Sequence, residues 1–207
     1  MKKTFSLIST FGILTVLSGA SFAAPMWTID PTASHLTFEV KQGDNPITGE
    51  FKKFTPTIEF DKADLTTSHI KVQVETGSAE TGDKSNDSSL PSKDWFNISA
   101  FPSATFESVS IASIGLDKTG LENYEAKGKL TILGVTRDVT LPFTLKADGN
   151  NTRAFGTLSL KRLDYGMGAI VDPNGAMISN DVTVKFDITA HLTPVTMPVA
   201  TSQPTAQ

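Results

Sequence analysis

The chain has 207 residues, no cysteine and a formal net charge of -4, with 39% hydrophobic and 19% charged residues. This composition is typical of a globular domain and excludes collagen, a long coiled coil and general disorder. The missing cysteines exclude disulfides, thiolate nucleophiles and cysteine-ligated zinc. The excess of acidic residues argues against binding to nucleic acid, because neutralising phosphates requires clustered Lys and Arg.

Residues 1–23 have the pattern of a secretory signal peptide. Lys2 and Lys3 form the charged start, residues 5–17 are mostly apolar, and residues 21–23 have the small-x-small pattern of a cleavage site. The apolar stretch is shorter than the ~20 residues that a membrane-spanning helix needs. We therefore expect cleavage after Ala23 and export to a bacterial periplasm. Cleavage removes two lysines and no acid, so the mature net charge becomes -6.

Apolar and polar side chains alternate along most of the remaining chain. Leu36, Phe38 and Val40, for example, alternate with polar residues, which indicates a strand with one buried face. Turn-forming residues bound eight segments of this kind, and we predict strands at 34–41, 49–60, 69–76, 104–112, 122–133, 137–146, 153–162 and 181–191. Short connections join most of them, so neighbours in sequence should pair antiparallel. We predict an all-β fold, an eight-stranded antiparallel barrel, because closure removes the exposed sheet edges.

Single residues mark two of the predicted turns. Gly134 is expected to take a positive φ in the hairpin between the fifth and sixth strands. Pro102 fixes an extended entry into the fourth strand, where a missing N–H donor is tolerated.

The connection at residues 77–103 is far longer than the ~4–6 residues usual between strands. Within it, Asp87 and Ser92 are each predicted to cap the start of a short helix. Leu90, Trp95 and Phe96 give the segment an apolar surface that is unfavourable in water. We therefore predict a short helical cap between strands three and four that covers one mouth of the barrel.

The predicted strands set the domain boundaries. We assign residues 24–192 to the barrel domain. Residues 193–207 contain three prolines, no charge and no alternation, and they are predicted to form a disordered tail.

No catalytic or metal-binding pattern stands out. His35, His69 and His191 belong to different predicted strands, without the close spacing of a local metal motif. The serines lack the Gly-x-Ser-x-Gly pattern of a nucleophile elbow. We expect a protein without metal, cofactor or enzymatic activity. A lipid-modifying enzyme would need an acid or base inside the barrel, for which Tyr165 and Asp94 are the candidates.

An eight-stranded barrel either fills its interior with side chains or holds one small ligand. The chain has 13 phenylalanines, many of them in predicted strands, and these could form a core or line an apolar cavity for a long hydrocarbon chain. If the barrel is filled, the protein would act through its outer surface. If it is hollow, strand alternation and the cap predict the ligand-binding residues Leu36, Phe38, Val40, Phe60, Val72, Val74, Trp95, Phe96, Phe106, Leu130, Ile132, Leu141, Phe143, Val184 and Phe186.

Several motifs occur in order along residues 27–191. They are WTIDP at 27–31, GEF at 49–51, DWF at 94–96, FPSATFES at 101–108, GKLTILGVTR at 128–137 and DYGMG at 164–168. Together they resemble the YceI-like family of exported, lipocalin-like polyisoprenoid-binding proteins.

The resemblance implies a ligand and partners. A long isoprenoid lipid, of polyprenyl or quinone type, would lie inside the barrel for transport or storage, without covalent chemistry, in a protein that commonly forms a homodimer. The family often has a basic residue before the cap aspartate, whereas here Asn86 precedes Asp87. This departure favours a neutral head group, such as a quinone, over a diphosphate, unless Lys84 or Lys93 takes the place of the basic residue. Residues 169–180 resemble a variant found in relatives associated with membrane b-type cytochromes, and this association also favours a quinone. In the filled-barrel alternative, the outer surface or the proline-rich tail would dock to a membrane partner such as a b-type cytochrome.

Overall fold

The computed structural model describes residues 23–148 and 151–193. Nearly all of the predicted signal peptide, and the predicted tail after Thr193, lie outside the described residues. Within the described part of the chain, no helix is long and apolar enough to cross a membrane.

Strands make up most of the described chain, and one short α-helix interrupts them. The strands are β1 (Met26–Ile29), β2 (His35–Gln42), β3 (Asn45–Phe51), β4 (Phe54–Glu59), β5 (His69–Glu75), β6 (Ala79–Glu80), β7 (Ser103–Leu116), β8 (Glu122–Ile132), β9 (Val135–Asp148), β10 (Asn151–Lys161) and β11 (Asp181–Leu192). The helix α1 spans Lys84–Ser89, and 3-10 turns lie at Leu65–Thr67, Thr76–Ser78 and Arg162–Tyr165.

All strand pairs are antiparallel, and the sheet closes on itself. The ring runs β1-β4-β5-β7-β8-β9-β10-β11, and β11 pairs back with β1. β11 pairs with β2 along residues 183–187 and with β1 along residues 190–192, so β1 and β2 are two parts of one barrel strand. β3 and β4 continue one another in the same way, since they pair with β2 and β1 respectively. The predicted eight-stranded antiparallel barrel is confirmed.

The prediction of one continuous strand at 49–60 is wrong, because the chain leaves the ladder between β3 and β4. The N–H of Lys52 donates to the carbonyl of Ser78 at 3.0 Å, and the N–H of Lys53 donates to the Ser78 hydroxyl at 3.0 Å. The neighbouring strand breaks between β1 and β2, where the Asp30 carboxylate accepts the N–H of Thr32 and Pro31 has no N–H to donate.

The cap contains a helix, but its start differs from the prediction. The carboxylate of Asp83, rather than that of Asp87, accepts the first helical N–H groups, from Ser85 and Asn86. Asp87 lies within α1 and accepts hydrogen bonds from the N–H and hydroxyl of Thr81. Residues 91–100 form turns, so the helix predicted to start at Ser92 is also wrong. The proline at position 91 explains the early end, because it has no N–H to donate to the carbonyl of Asp87 and so cannot extend the helix.

Aromatic rings form the centre of the hydrophobic core. Tyr124 stacks on Phe143 with ring centroids 5.3 Å apart, and Phe60 meets both rings edge-on. Phe106 and Ile111 complete this buried group around Ala126. Apart from Phe60, the buried residues of this cluster lie on β7, β8 and β9.

The β8–β9 hairpin turns through two left-handed residues. Gly134 has φ 74°, which confirms the predicted positive value, and Leu133 has φ 51°. Two consecutive positive φ values fit the right-handed twist of an antiparallel hairpin.

Candidate binding cavity

The barrel encloses a cavity of about 610 Å³. Every second residue of a barrel strand faces inward, so the inner faces of the strands form its wall. The volume falls within the range of small-molecule sites, ~300–1,000 Å³.

All fifteen residues predicted at the site lie on the cavity wall. They are Leu36, Phe38 and Val40 of β2, Phe60 after β4, Val72 and Val74 of β5, Trp95 and Phe96 of the cap, Phe106 of β7, Leu130 and Ile132 of β8, Leu141 and Phe143 of β9, and Val184 and Phe186 of β11. The structure thus places the predicted faces of these strands inward.

Sequence reasoning missed several parts of the wall, among them all of β10 and the lining residues Trp27 of β1, Phe51 of β3 and Phe54, Pro56 and Ile58 of β4. Ala154, Leu158 and Leu160 of β10 line the cavity, and their alternation would have identified them. Met167 and Ile178 also line it, but they belong to the connection between β10 and β11 at residues 162–180. No periodic pattern marks that connection, so only the fold reveals their position.

Glycines beside inward-facing phenylalanines help to keep the interior open. A Cβ atom built on Gly49 would lie 2.3 Å from Cζ of Phe38, and one on Gly128 would lie 2.8 Å from Cζ of Phe106. Each ring therefore leans over the bare backbone of the adjacent strand. This position holds the rings against the wall.

Two segments cover one end of the cavity. Leu90, Trp95 and Phe96 line it from the cap, and Met167 and Ile178 line it from the β10–β11 connection. The N–H of Gly168 donates to the carbonyl of Asp94 at 2.7 Å, which joins the two segments. The predicted cap over one mouth is thus present, and a second cover that was not predicted completes it.

A buried ion pair holds the β10–β11 connection in place. Arg162 and Asp172 are 1% and 3% exposed, and Nη2 of Arg162 lies 2.6 Å from Oδ2 of Asp172. Arg162 also donates to the carbonyls of Met167, Ile178 and Ser179. Its guanidinium carbon lies 5.6 Å from the centroid of the Trp95 ring.

The Asp172 carboxylate is held ionised by its surroundings. The backbone N–H of Ile178, then those of Met177 and Ala176, and the charge of Arg162 lower the pKa of Asp172 below its ordinary value. The carboxylate thus accepts donors from its own connection as well as from Arg162. The pair therefore holds the cover together, and the Arg162 side chain also forms part of the cavity wall.

The other end of the cavity is open and polar. Its lining includes the exposed side chains of Pro25, Ala147 and Leu192. The polar lining residues at this end are Asp61, Lys62, Glu122 and Thr152.

Lys62 and Glu122 form an ion pair at this open end. Nζ of Lys62 lies 3.3 Å from Oε1 of Glu122, and the Tyr124 hydroxyl donates to Oε2 at 3.3 Å. Burial and, after it, the charge of Glu122 raise the pKa of Tyr124. The negative charge of Glu122 therefore acts on groups just inside the barrel.

The two residues considered for catalysis do not face the cavity. Neither Asp94 nor Tyr165 is among its lining residues. Tyr165 is 3% exposed, and this burial raises the pKa of its hydroxyl. Among residues 23–148 and 151–193, no group of three His, Asp or Glu side chains is arranged to hold a metal ion.

A closed antiparallel barrel around an apolar cavity defines the class of lipocalin-like barrels. The chain belongs to the YceI-like domain family, whose sequence profile matches residues 27–190. The resemblance drawn from the motifs is therefore confirmed.

Relatives with known sequences match over most of their length. A UPF0312 protein of Pseudomonas paraeruginosa is 30% identical over 182 residues, which cover 84% of this chain and 91% of the relative. Protein YceI of Salmonella agona is 32% identical over 154 residues, which cover 73% of this chain and 76% of the relative.

Solved structures share the fold. BcnA of Burkholderia cenocepacia superposes with a TM-score of 0.73 at 30% identity, covering 78% of this chain and 99% of BcnA. A polyisoprenoid binding domain from Saccharophagus degradans superposes with a TM-score of 0.65 at 17% identity, covering 82% of this chain and 99% of that domain. At 17% identity the likeness is one of fold.

Proposed function

We propose that the protein binds one long isoprenoid lipid, of polyprenyl or quinone type, inside the barrel and holds it for transport or storage in the periplasm. The observation that carries this proposal is the apolar character of the cavity. Its lining residues are apolar except for Asp61, Lys62, Thr105, Glu122, Thr152 and Arg162.

Physical chemistry matches such a cavity to a hydrocarbon chain. Burial of apolar surface contributes ~25 cal/mol per Å², or about 0.8 kcal/mol per CH₂ group, without any hydrogen bond. A ligand with polar groups along its length would leave them unpaired against this wall, at a cost of about 1–3 kcal/mol each. The fifteen wall residues predicted from sequence are the proposed ligand contacts.

The comparisons support an isoprenoid ligand, and the predicted signal peptide supports a location in the periplasm. The polyisoprenoid binding domain of Saccharophagus degradans has the same fold, and its named ligand class suits this cavity. The N-terminal pattern supports export to the periplasm. The open interior argues against the filled-barrel alternative. The homodimer and the b-type cytochrome partner stay predictions from the resemblance.

Native mass spectrometry tests the proposal directly. The full chain is expressed in a bacterium, the protein is purified from the periplasm, and the intact complex is weighed before its ligand is extracted and identified. We expect one isoprenoid lipid per chain. If the purified protein contains no lipid and binds neither added polyprenol nor added quinone, the proposal is contradicted.

A matched pair of variants locates the ligand. Ala154 of β10 lines the cavity, whereas Thr157 of the same strand is exposed on the outer face. Ala154→Phe fills part of the cavity and is expected to reduce the fraction of lipid-loaded protein severalfold. Thr157→Phe adds a ring outside the barrel and is expected to leave loading unchanged. Equal loading of both variants would place the ligand elsewhere.

A further inference from the structure

The charged side chains of the cavity wall lie at its two ends. Arg162 belongs to the covered end, whereas Asp61, Lys62 and Glu122 belong to the open end. The wall between the ends is apolar apart from Thr105. The head group of a lipid must therefore meet one of these two sets, because a polar group buried without partners is unfavourable.

The covered end does not suit a head group. Arg162 is neutralised by Asp172 at 2.6 Å and donates to four backbone carbonyls. The other lining side chains there are Leu90, Trp95, Phe96, Met167 and Ile178. An anion at this end would compete with the Asp172 carboxylate for Arg162, and a hydrated head group would lose its water.

The open end suits a head group that carries no charge. Its lining charges are one cation, Lys62, and two anions, Asp61 and Glu122, so their sum is negative. Lys62 already pairs with Glu122 at 3.3 Å. The hydroxyl of Thr152, at the same end, is a neutral donor and acceptor. A phosphate would meet net repulsion, whereas a hydroxyl or carbonyl head would not.

We infer that the bound lipid places its head group at the open end beside Lys62 and Glu122, and that this head group is an uncharged alcohol or quinone. The inference rests on the proposed function for the position of the hydrocarbon chain. The inference goes further than the proposed function because it selects uncharged isoprenoid lipids over isoprenoid diphosphates, which have the same hydrocarbon tail.

The test compares three head groups that are attached to the same C20 isoprenoid tail. Geranylgeraniol, geranylgeranyl diphosphate and a naphthoquinone with the same C20 tail are titrated into the delipidated protein. The chain has two tryptophans, and both line the cavity, so intrinsic fluorescence reports binding. We expect the alcohol and the quinone to bind, and the diphosphate to bind roughly tenfold more weakly, with a gap that narrows at high salt.

The tryptophans also report the orientation. Trp27 of β1 lines the cavity near the open end, and Trp95 of the cap lines it at the covered end. The Trp95→Phe variant retains only Trp27, and the Trp27→Phe variant retains only Trp95. A quinone head at the open end is expected to quench Trp27 severalfold more than Trp95. Stronger quenching of Trp95 would overturn the inference.

A second pair of variants tests the charge argument. Glu122→Gln removes one negative charge at the open end and is expected to raise diphosphate binding relative to alcohol binding by roughly threefold or more. Glu125→Gln makes the same charge change on the outer face of β8 and is expected to leave that ratio unchanged.

The outcomes separate the two proposals. Diphosphate binding as tight as alcohol binding overturns the head-group inference and leaves lipid binding intact. If none of the three C20 compounds binds, the proposed function fails, and the inference fails with it.

Discussion

The ring of Phe186 on β11 occupies the space where a side chain on Gly156 of β10 would lie. The two residues are cross-strand partners, and a Cβ atom on Gly156 would lie 2.6 Å from Cζ of Phe186. The same relationship joins Phe38 of β2 to Gly49 of β3. Both glycines lie within strands, and because they have no side chain, the large rings of their partners can occupy the space over the neighbouring strand.

Replacement of Gly156 by alanine should destabilise the barrel. The new Cβ would meet the Phe186 ring and also lie 2.2 Å from the carbonyl oxygen of Pro142. Overpacking of this kind costs about 1–3 kcal/mol. Urea denaturation followed by circular dichroism measures the change. Ser159→Ala, at an exposed position of the same strand, should stay within about 0.5 kcal/mol of the parent. An unchanged Gly156→Ala midpoint would show that the strands move apart easily.

Two substitutions in the β8–β9 hairpin are expected to change the stability of the protein in opposite directions. Gly134→Ala places a Cβ at φ 74° and 2.9 Å from the Phe101 ring, and should destabilise the protein by about 1–2 kcal/mol. Leu133→Asn puts a residue that tolerates left-handed backbone at φ 51°, and should stabilise it by up to ~1 kcal/mol. Thermal denaturation measures both. A lower melting temperature for Leu133→Asn would mean that the packing of the leucine outweighs its backbone strain.

Loss of the Arg162 guanidinium should loosen the cover at the closed end. Arg162→Met leaves Asp172 buried without its cation and is expected to cost about 3–5 kcal/mol in the free energy of unfolding. Arg162→Lys should restore only part of this loss, because a lysine cannot reproduce the forked donors to Met167 and Ile178. Chemical denaturation of the three proteins checks the order. Equal stability of the lysine variant and the parent would show that charge alone suffices.

Asp172 should contribute to acid sensitivity. Its folded-state pKa is depressed, mainly by the N–H of Ile178. The stabilisation is therefore present above the unfolded-state pKa of ~3.9 and is lost as pH falls through the lower folded-state value. Asp172→Asn should be less stable than the parent at neutral pH, and its stability should fall less steeply below about pH 5. Melting temperatures between pH 3 and 7 measure how steeply the stability of each protein falls with pH. If the parent and Asp172→Asn lose stability equally steeply, Asp172 does not contribute to acid sensitivity.

Strand alternation predicted much of the fold and of the wall. The pattern around Val184 and Phe186 specifies which face of β11 points inward, because a buried face requires apolar residues at every second position. Ala154 and Leu158 carry the same signal more weakly, since Gly156 between them has no side chain to mark the face.

Specific side-chain contacts explain what the alternation pattern could not show. The break after β3 depends on hydrogen bonds to Ser78, which lies 25 residues from Lys53 in the chain. The choice of Asp83 over Asp87 as helix cap depends on Thr81, which engages the second carboxylate. The cover from residues 166–180 depends on the Arg162–Asp172 pair, whose partners lie in a segment without periodicity. The alternation of apolar and polar residues does not indicate which side chains will pair in this way.

The hydrogen bond from Gly168 to Asp94 has a kinetic consequence. It joins the cap and the β10–β11 connection into one cover, so the cavity formed by the described residues is a tube covered at one end, and a lipid held as proposed would enter and leave it at the open end near Leu192. Two hydrocarbon chains cannot pass one another in such a tube. Exchange of one lipid for another is therefore expected to follow first-order kinetics, at a rate set by departure of the first molecule and independent of the concentration of the second.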